Sequence, residues 1–321
     1  MIEQVQPDHI IVDHLAFGAR LALTATGTPH ADVVLGHPSA LTVGDEVYGY
    51  PPAFPSAIRP DAAELASLRH LCDQVRDTFT TEWNDALVTL DPAARPSDDA
   101  FAETGDVLLL NYPAELHPPA RTALLPPHVF LGSAVREEAP DEQVERWLAA
   151  SDRPTVYVSL GSFLSVRSDV LSRIIDALRQ LEVRVALASG STPRHELPSV
   201  PKGWLVRPEL PQVRLLQRSV LAVSHGGNNS VTEALTAGVP LVLLPLSTDQ
   251  FAGAAALERA GFGHALDPNA ATSSEIRAVA EKLLALDGEA RHRLEALSTS
   301  LRSRPGADRA LKAIAASPAV G

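Results

Sequence analysis

The run Val223-Ser224-His225-Gly226-Gly227-Asn228-Asn229-Ser230 joins the end of an apolar, strand-like segment to the start of a helix-like one. Its two glycines let the backbone approach a ligand closely. The amides of a helix's first turn have no intrahelical acceptor and carry a partial positive charge, which suits phosphate. His225, at the strand tip, adds a further hydrogen-bond donor. The same residues also read as a tight turn with an ordinary cap. Ser230-Val231-Thr232-Glu233 has the form of a capping box, in which Glu233 bonds back to the cap backbone. Spacing alone leaves Glu233 divided between that cap and a ligand contact.

A second loop, Pro245-Leu246-Ser247-Thr248-Asp249-Gln250, offers an acceptor in Asp249 and a mixed donor and acceptor in Gln250. That pair suits a polyhydroxyl ligand, while Thr248 or Asp249 alone would serve as a helix N-cap. A third, Leu160-Gly161-Ser162-Phe163, is a short turn whose amides and hydroxyl suit phosphate. The chain has neither a G-x-G-x-x-G fingerprint nor a Walker lysine, which weakens the dinucleotide and nucleoside-triphosphate readings. The glycosylation sequon Asn228-Asn229-Ser230 has no secretory signal to give it meaning.

Positioning these loops requires a sheet. From Thr155 onward, strand-like and helix-like segments alternate: 155–160, 168–181, 184–188, 204–206, 211–217, 220–223, 230–236, 240–244 and 250–260. The strands are almost continuously apolar, which argues for a parallel sheet with helices on both faces. In such a sheet ligands bind beyond the carboxyl ends of the strands, where all three loops fall. The earlier part is less regular. Strands are predicted at 10–12, 32–36, 107–110 and 128–131, and helices at 15–23 and 61–88. Thr42 to Pro60, rich in Gly, Pro and Tyr, reads as loop. In the long helix, Leu65, Leu68, Leu71, Val75, Phe79 and Trp83 recur at three- and four-residue spacing. Tyr48, Tyr50 and Phe54 either line a hydrophobic site or pack their loop onto the domain.

Length and composition bound the function. The chain has 321 residues, enough for about two domains. Its 27 basic and 39 acidic residues give a net charge of −12, which excludes nucleic acid as the main partner. Hydrophobic residues make up 45%, ample for packed cores. Cys72 is the single cysteine, so a disulfide framework and a zinc ribbon are excluded. No apolar run is long enough for a transmembrane segment. The expectation is a soluble, reduced, cytoplasmic protein.

Taken together, the loops resemble the donor-binding signature of family 1 glycosyltransferases, the UDP-glycosyltransferase-like enzymes of the GT-B fold. The resemblance runs through His225-x-Gly227-x-Asn229-Ser230-x-x-Glu233, Gly238-Val239-Pro240 and Pro245-x-x-x-Asp249-Gln250, preceded by Pro211-Gln212 and by Val156 to Ser162. It is strong from about Thr155 to Leu266. It implies an α/β, GT-B-like fold of two Rossmann-like, doubly wound parallel-sheet domains, the N-terminal one incomplete. Residues 1–135 would form the partial acceptor-binding domain and 136–154 the linker. Residues 155–321 would form the nucleotide-sugar domain, its terminal helix crossing back to the first.

The resemblance also implies roles. Ser162, His225, Gly227, Asn229 and Ser230 would bind the donor diphosphate, Leu210 and Gln212 the base and ribose, and Glu233 the ribose hydroxyls. Asp249 and Gln250 would grip the sugar. Where the plant branch stacks a tryptophan on uracil, this chain has Glu209, with Trp204 five residues earlier. The base is therefore open between uracil and thymine. The reaction implied is inverting transfer of a hexose from a UDP- or dTDP-sugar to a hydroxyl of a small hydrophobic acceptor, with no metal and no cofactor.

The family's base is a histidine oriented by an aspartate. Asp13 matches the aspartate, or else caps the following helix; the histidine segment has no counterpart, and neither His9 nor His14 matches it. The opening part of a typical member is expected to be missing, leaving apolar surface and strand edges that a dimer or a partner would cover. Two further readings are a non-catalytic nucleotide-sugar-binding or auxiliary protein and, more remotely, a nucleotide-sugar epimerase.

Overall fold

The computed structural model describes residues 2–161, 166–286, 288–317 and 319. The chain divides into two compact units. Met1–Pro52, Pro60–Ala134 and Arg304–Gly321 form the first, and Ala53–Arg59 with Val135–Ser303 form the second.

The first unit opens with a short helix, α1 (Ile2–Val5), and carries a four-stranded sheet of β1 (Ile11–Asp13), β2 (Ala31–Val34), β3 (Val107–Leu110) and β4 (His128–Phe130). All its pairings are parallel, and the strands lie side by side in chain order. Helix α2 (Phe17–Ala25) packs on α3 (Ala62–Leu90). The 29-residue helix α3 starts at a complete capping box of Asp61 and Glu64. Its apolar stripe is only half used: Trp83 and Leu87 are buried, whereas Leu71 and Val75 are 55% and 45% exposed. The buried part lies where Phe79 stacks on Phe101 and meets Phe17 edge to face. The short helix α4 (Pro119–Thr122) precedes β4. The terminal helix α12 (Gly306–Ala315) covers one sheet face with Ala310, Ala313 and Ile314.

The second unit begins with α5 (Glu142–Ala149). Its sheet contains β5 (Thr155–Ser159), β6 (Arg184–Ala188), β7 (Leu205–Arg207), β8 (Ser219–Ser224), β9 (Leu241–Leu243) and β10 (Gly263–Ala265). The order is β10-β9-β8-β5-β6-β7, all parallel. The winding runs outward from β5 to β7, then reverses across to β8. The reversal point therefore lies between β5 and β8, where ligand crevices form in such sheets. Helices α6 (Ser168–Leu178) and α10 (Ser273–Leu284) pack together on the face that presents Val156, Val158, Val185, Leu187 and Val223. Leu171, Ile174 and Ile175 of α6 are fully buried there. Helix α7 (Gln212–Leu216) lies beside α8 (Asn228–Ala237) and against β5 and β8. α9 (Thr248–Ala260) packs on β10, and α11 (Gly288–Ser303) packs on α8. No helix among the described residues is long and apolar enough to cross a membrane.

Candidate functional site

Ser159 and Ser224 end the two strands that flank the reversal point and are partners in register. Each begins the same turn. Ser159 Oγ accepts from Gly161 N at 3.2 Å, and Ser224 Oγ accepts from Gly226 N at 3.2 Å. Gly161 and Gly226 both take positive φ, +78° and +86°, a region that a side chain disfavours. The repeated Val-Ser-x-Gly at 158–161 and 223–226 encodes this twin turn. It is a sequence signal that a search for single motifs passes over.

His225 sits between the two turns. A Cβ added to Gly161 would fall 2.7 Å from His225 Cε1, and one added to Gly227 would fall 2.5 Å from Nε2. The glycines thus make the slot that holds the imidazole. Burial drives the His225 pKa down to about 4, so the ring is neutral at pH 7. Its Nδ1 is buried without a hydrogen-bond partner. A neutral ring with an unsatisfied buried nitrogen is poised for a dipolar contact to a ligand, not for a charge–charge one.

Beside it, α8 begins at Asn228 with Gly227 as N-cap and no side chain capping that end. This corrects the capping-box expectation. Ser230 lies inside the helix as its third residue, and Glu233 does not turn back to the cap. Glu233 points instead to α7: Gln212 Nε2 donates to Glu233 Oε2 at 2.5 Å and to Ser230 Oγ at 3.3 Å. Gln212 and Glu233 are buried side chains, 7% and 6% exposed. Burial pushes the Glu233 carboxyl up, and the Gln212 hydrogen bond and the Arg136 charge oppose that push. Leu210 and Pro211 lead directly into α7 and so bring Gln212 to this cluster. Asn229, at the second position of α8, is exposed at the helix mouth.

The N-cap of α9 is Ser247, not Thr248 or Asp249. Gln250 completes this cap: its Oε1 accepts from Leu246 N at 2.8 Å and from Ser247 N at 3.3 Å, and its Nε2 donates to Ser247 Oγ at 2.9 Å. A sugar hydroxyl would share Gln250 with that cap, whereas Asp249 stands one residue before it, half-buried at the second helical position. Gln250 Cβ approaches the position of a Gly226 Cβ at 3.9 Å, so the second loop abuts the first. Ser162 lies outside the described residues. Trp204 precedes β7 at the amino end of the sheet and packs against the core there, away from the carboxyl-end loops.

In the first unit, Asp13 is exposed, and its Oδ1 accepts from Leu15 N at 2.9 Å. It closes the turn after β1; the N-cap of α2 is Ala16. Among the described residues no histidine forms an ion pair with Asp13. His14 instead turns inward, with Nδ1 3.0 Å from Asp32 Oδ2. Arg20 Nε lies 3.2 Å and His30 Nε2 3.6 Å from the same carboxylate group. Asp32 is fully buried, and this cluster keeps its carboxyl below the usual range against the opposing effect of burial. Tyr48 stacks on Phe101 at 3.9 Å and Tyr50 lies under Arg69, so both pack their loop. In the second unit Phe54 meets Phe251 at 5.5 Å, and Ser56 N and Oγ both donate to Glu258. Among the described residues no group of His, Cys, Asp and Glu is arranged to hold a metal.

Comparison with known proteins supplies the family. A curated relative, NDP-glycosyltransferase YjiC of Bacillus licheniformis, is 26% identical over 256 residues, which are 79% of this chain and 63% of the relative. The chain thus spans less than two thirds of that relative's length. The glycotransferase of kitacinnamycin shares the fold, with a TM-score of 0.71 at 22% identity over 98% of this chain and 76% of the other. Glycosyltransferase VinC, solved in complex with dTDP, gives 0.64 at 21% identity over 95% and 70%. These structures are GT-B glycosyltransferases, which fits the two parallel-sheet units. The family profile described as UDP-glucoronosyl and UDP-glucosyl transferase matches residues 68–307, and the chain belongs to that family.

Proposed function

We propose that this chain binds a nucleotide sugar at the carboxyl ends of β5, β8 and β9 and takes part in inverting transfer of its hexose to a hydroxyl of a small hydrophobic acceptor. The observation that carries the reading is His225, neutral and unsatisfied at Nδ1, held by two glycines over the reversal point of the sheet. Backbone amides of α8 with Asn229, Ser230 and Gly227 would hold the diphosphate beside it. Leu210 and Gln212 would meet the base and ribose, Glu233 the ribose hydroxyls, and Asp249 with Gln250 the sugar. The acceptor hydroxyl oxygen attacks the anomeric carbon as the bond to the diphosphate breaks; the nucleoside diphosphate leaves with the bonding electron pair, and the hydroxyl proton passes to water or to the departing diphosphate. Fixed amide dipoles and the imidazole take up the charge that develops on it. This chemistry asks for no metal or cofactor. UDP- and dTDP-sugars both remain candidates, the VinC complex with dTDP favouring the second.

A second reading is a nucleotide-sugar-binding or auxiliary protein without turnover. It is favoured by Asp13 accepting from Leu15 N with no histidine paired to it among the described residues, and by His14 being held on Asp32. One assay separates the two. The chain is incubated with UDP-glucose or dTDP-glucose and phenolic acceptors, with and without EDTA, and free nucleoside diphosphate is measured. Release unaffected by EDTA supports transfer. Binding without release supports the second reading, and absence of both overturns each.

A further inference from the structure

Glu233 is a buried carboxylate with one oxygen settled and one exposed to choice. Oε2 receives Gln212 Nε2. Oε1 faces Arg136 Nη1 at 3.5 Å, an ion pair longer than a hydrogen bond, with the Glu233 side chain 5% and the Arg136 side chain 54% exposed. Arg136 is held from behind. Its Nε and Nη2 donate to Glu138 Oε1 at 3.3 and 3.1 Å. Glu138 in turn accepts the backbone N–H of Arg214, in α7, on its other oxygen at 3.1 Å. The guanidinium is therefore aimed at Glu233 by a carboxylate tied to the helix that also carries Gln212. It remains free enough on its solvent side to shift when something enters.

A ribose hydroxyl that meets Oε1 would donate to it and, through its lone pairs, accept from Arg136. A 2′-deoxyribose offers only CH₂ there. Over a lone carboxylate that CH₂ would bury a charge without a partner, which is costly. Here the guanidinium already supplies the partner. We infer that Arg136 is a specificity-determining residue of the nucleotide site, standing in for an absent 2′-hydroxyl so that nucleoside diphosphates of ribose and of 2′-deoxyribose are both accepted. The inference rests on the reading of Glu233 as the ribose contact. It places the 2′-hydroxyl at Oε1.

UDP and 2′-deoxy-UDP share base and diphosphate and differ only in that hydroxyl. Titration calorimetry of the whole chain with each is the test. Wild type is expected to bind the two within about threefold of each other, a difference below 1 kcal/mol. Arg136→Met keeps the side-chain length and removes the charge. It is expected to weaken 2′-deoxy-UDP by about tenfold or more and UDP by less than about threefold, since only the deoxy ligand leaves Oε1 unpaired. Arg136→Lys restores the deoxy ligand. In Arg136→Met, affinity for 2′-deoxy-UDP recovers as pH falls, because a carboxyl without its guanidinium takes up a proton more readily and loses the charge. A merely structural residue would produce neither the selectivity nor the pH dependence. Equal weakening of both ligands, or wild type rejecting 2′-deoxy-UDP by more than about tenfold, overturns the inference while leaving the donor site standing. Wild type binding neither ligand overturns the donor site itself, and the inference with it.

Discussion

Replacing Gly227 by alanine tests whether the glycines of the site exist to seat His225. The backbone of Gly227 has φ −58° and ψ 137°, which alanine adopts without strain. All the cost must therefore come from the added methyl, which would fall 2.5 Å from Nε2 and 2.8 Å from Cε1 of His225. Overpacking of this kind costs about 1–3 kcal/mol. In a unit of this size each kcal/mol lowers Tm by roughly 2–4 °C. The decisive assay is a double-mutant cycle by chemical denaturation, with Gly227→Ala made in the wild type and in His225→Ala. The cost is expected to vanish in the second background, giving a coupling of about 1–3 kcal/mol. Gly161→Ala pays the same clash, 2.7 Å to Cε1, plus a positive φ of +78°, so it should cost more. Gly203→Ala isolates the backbone term, with φ +94° and open space around its Cβ. It should leave nucleotide affinity unchanged. Equal costs for Gly227→Ala in both backgrounds would refute the slot.

The pH dependence of stability carries a sign. Burial lowers the His225 pKa from 6.5 to about 4, so the native state binds fewer protons than the unfolded chain in that interval. The contribution is complete above 6.5 and is lost as pH falls toward 4, by at most about 3 kcal/mol. His117, lowered to about 4 mainly by its own burial, adds in the same direction. Denaturant melts between pH 7 and pH 4 should show the loss, and His225→Phe should remove the His225 share of it while the His117 share remains. In the first unit, Asp32→Asn strands the buried Arg20 guanidinium and should cost about 3–5 kcal/mol; a melt within 1 kcal/mol of wild type would contradict the account of that cluster. β1 is an edge strand; Ile11 on it is 50% exposed and Leu15, in the turn that follows, is 52% exposed. Light scattering should show self-association that Ile11→Lys reduces, and a monodisperse monomer would contradict this.

Most of the second unit was legible because its strands are short apolar runs between strong turn residues. Strand 184–188 is observed at the predicted bounds, while the helix predicted from Ser230 begins two residues earlier, at Asn228. That shift decides the chemistry: with Gly227 as cap, Ser230 and Glu233 fall on the face toward Gln212 and are released from capping. The reverse happens at Gln250, where a side chain expected to face a sugar also closes a helix cap. Spacing cannot separate these cases, since a cap and a ligand contact use the same donors and acceptors. Arg136 and Glu138 carried no signal at all. They stand in a charged stretch like any other, and only the fold brings them to Glu233. In α3 the periodicity showed the helix, but an apolar stripe says which face would be covered, not how far along the helix the cover extends, and Leu71 and Val75 stay exposed.

The central claim is that the crevice between β5 and β8 binds the diphosphate of a nucleotide sugar. Titration calorimetry of UDP and dTDP into wild type, His225→Ala and Asn229→Ala tests it most directly. The account predicts one saturable site in wild type for at least one nucleotide. It also predicts affinity reduced by about tenfold or more in each variant, the loss of one hydrogen bond to a charged group. Absence of binding by wild type to both nucleotides, or affinity unchanged by both substitutions, would contradict it.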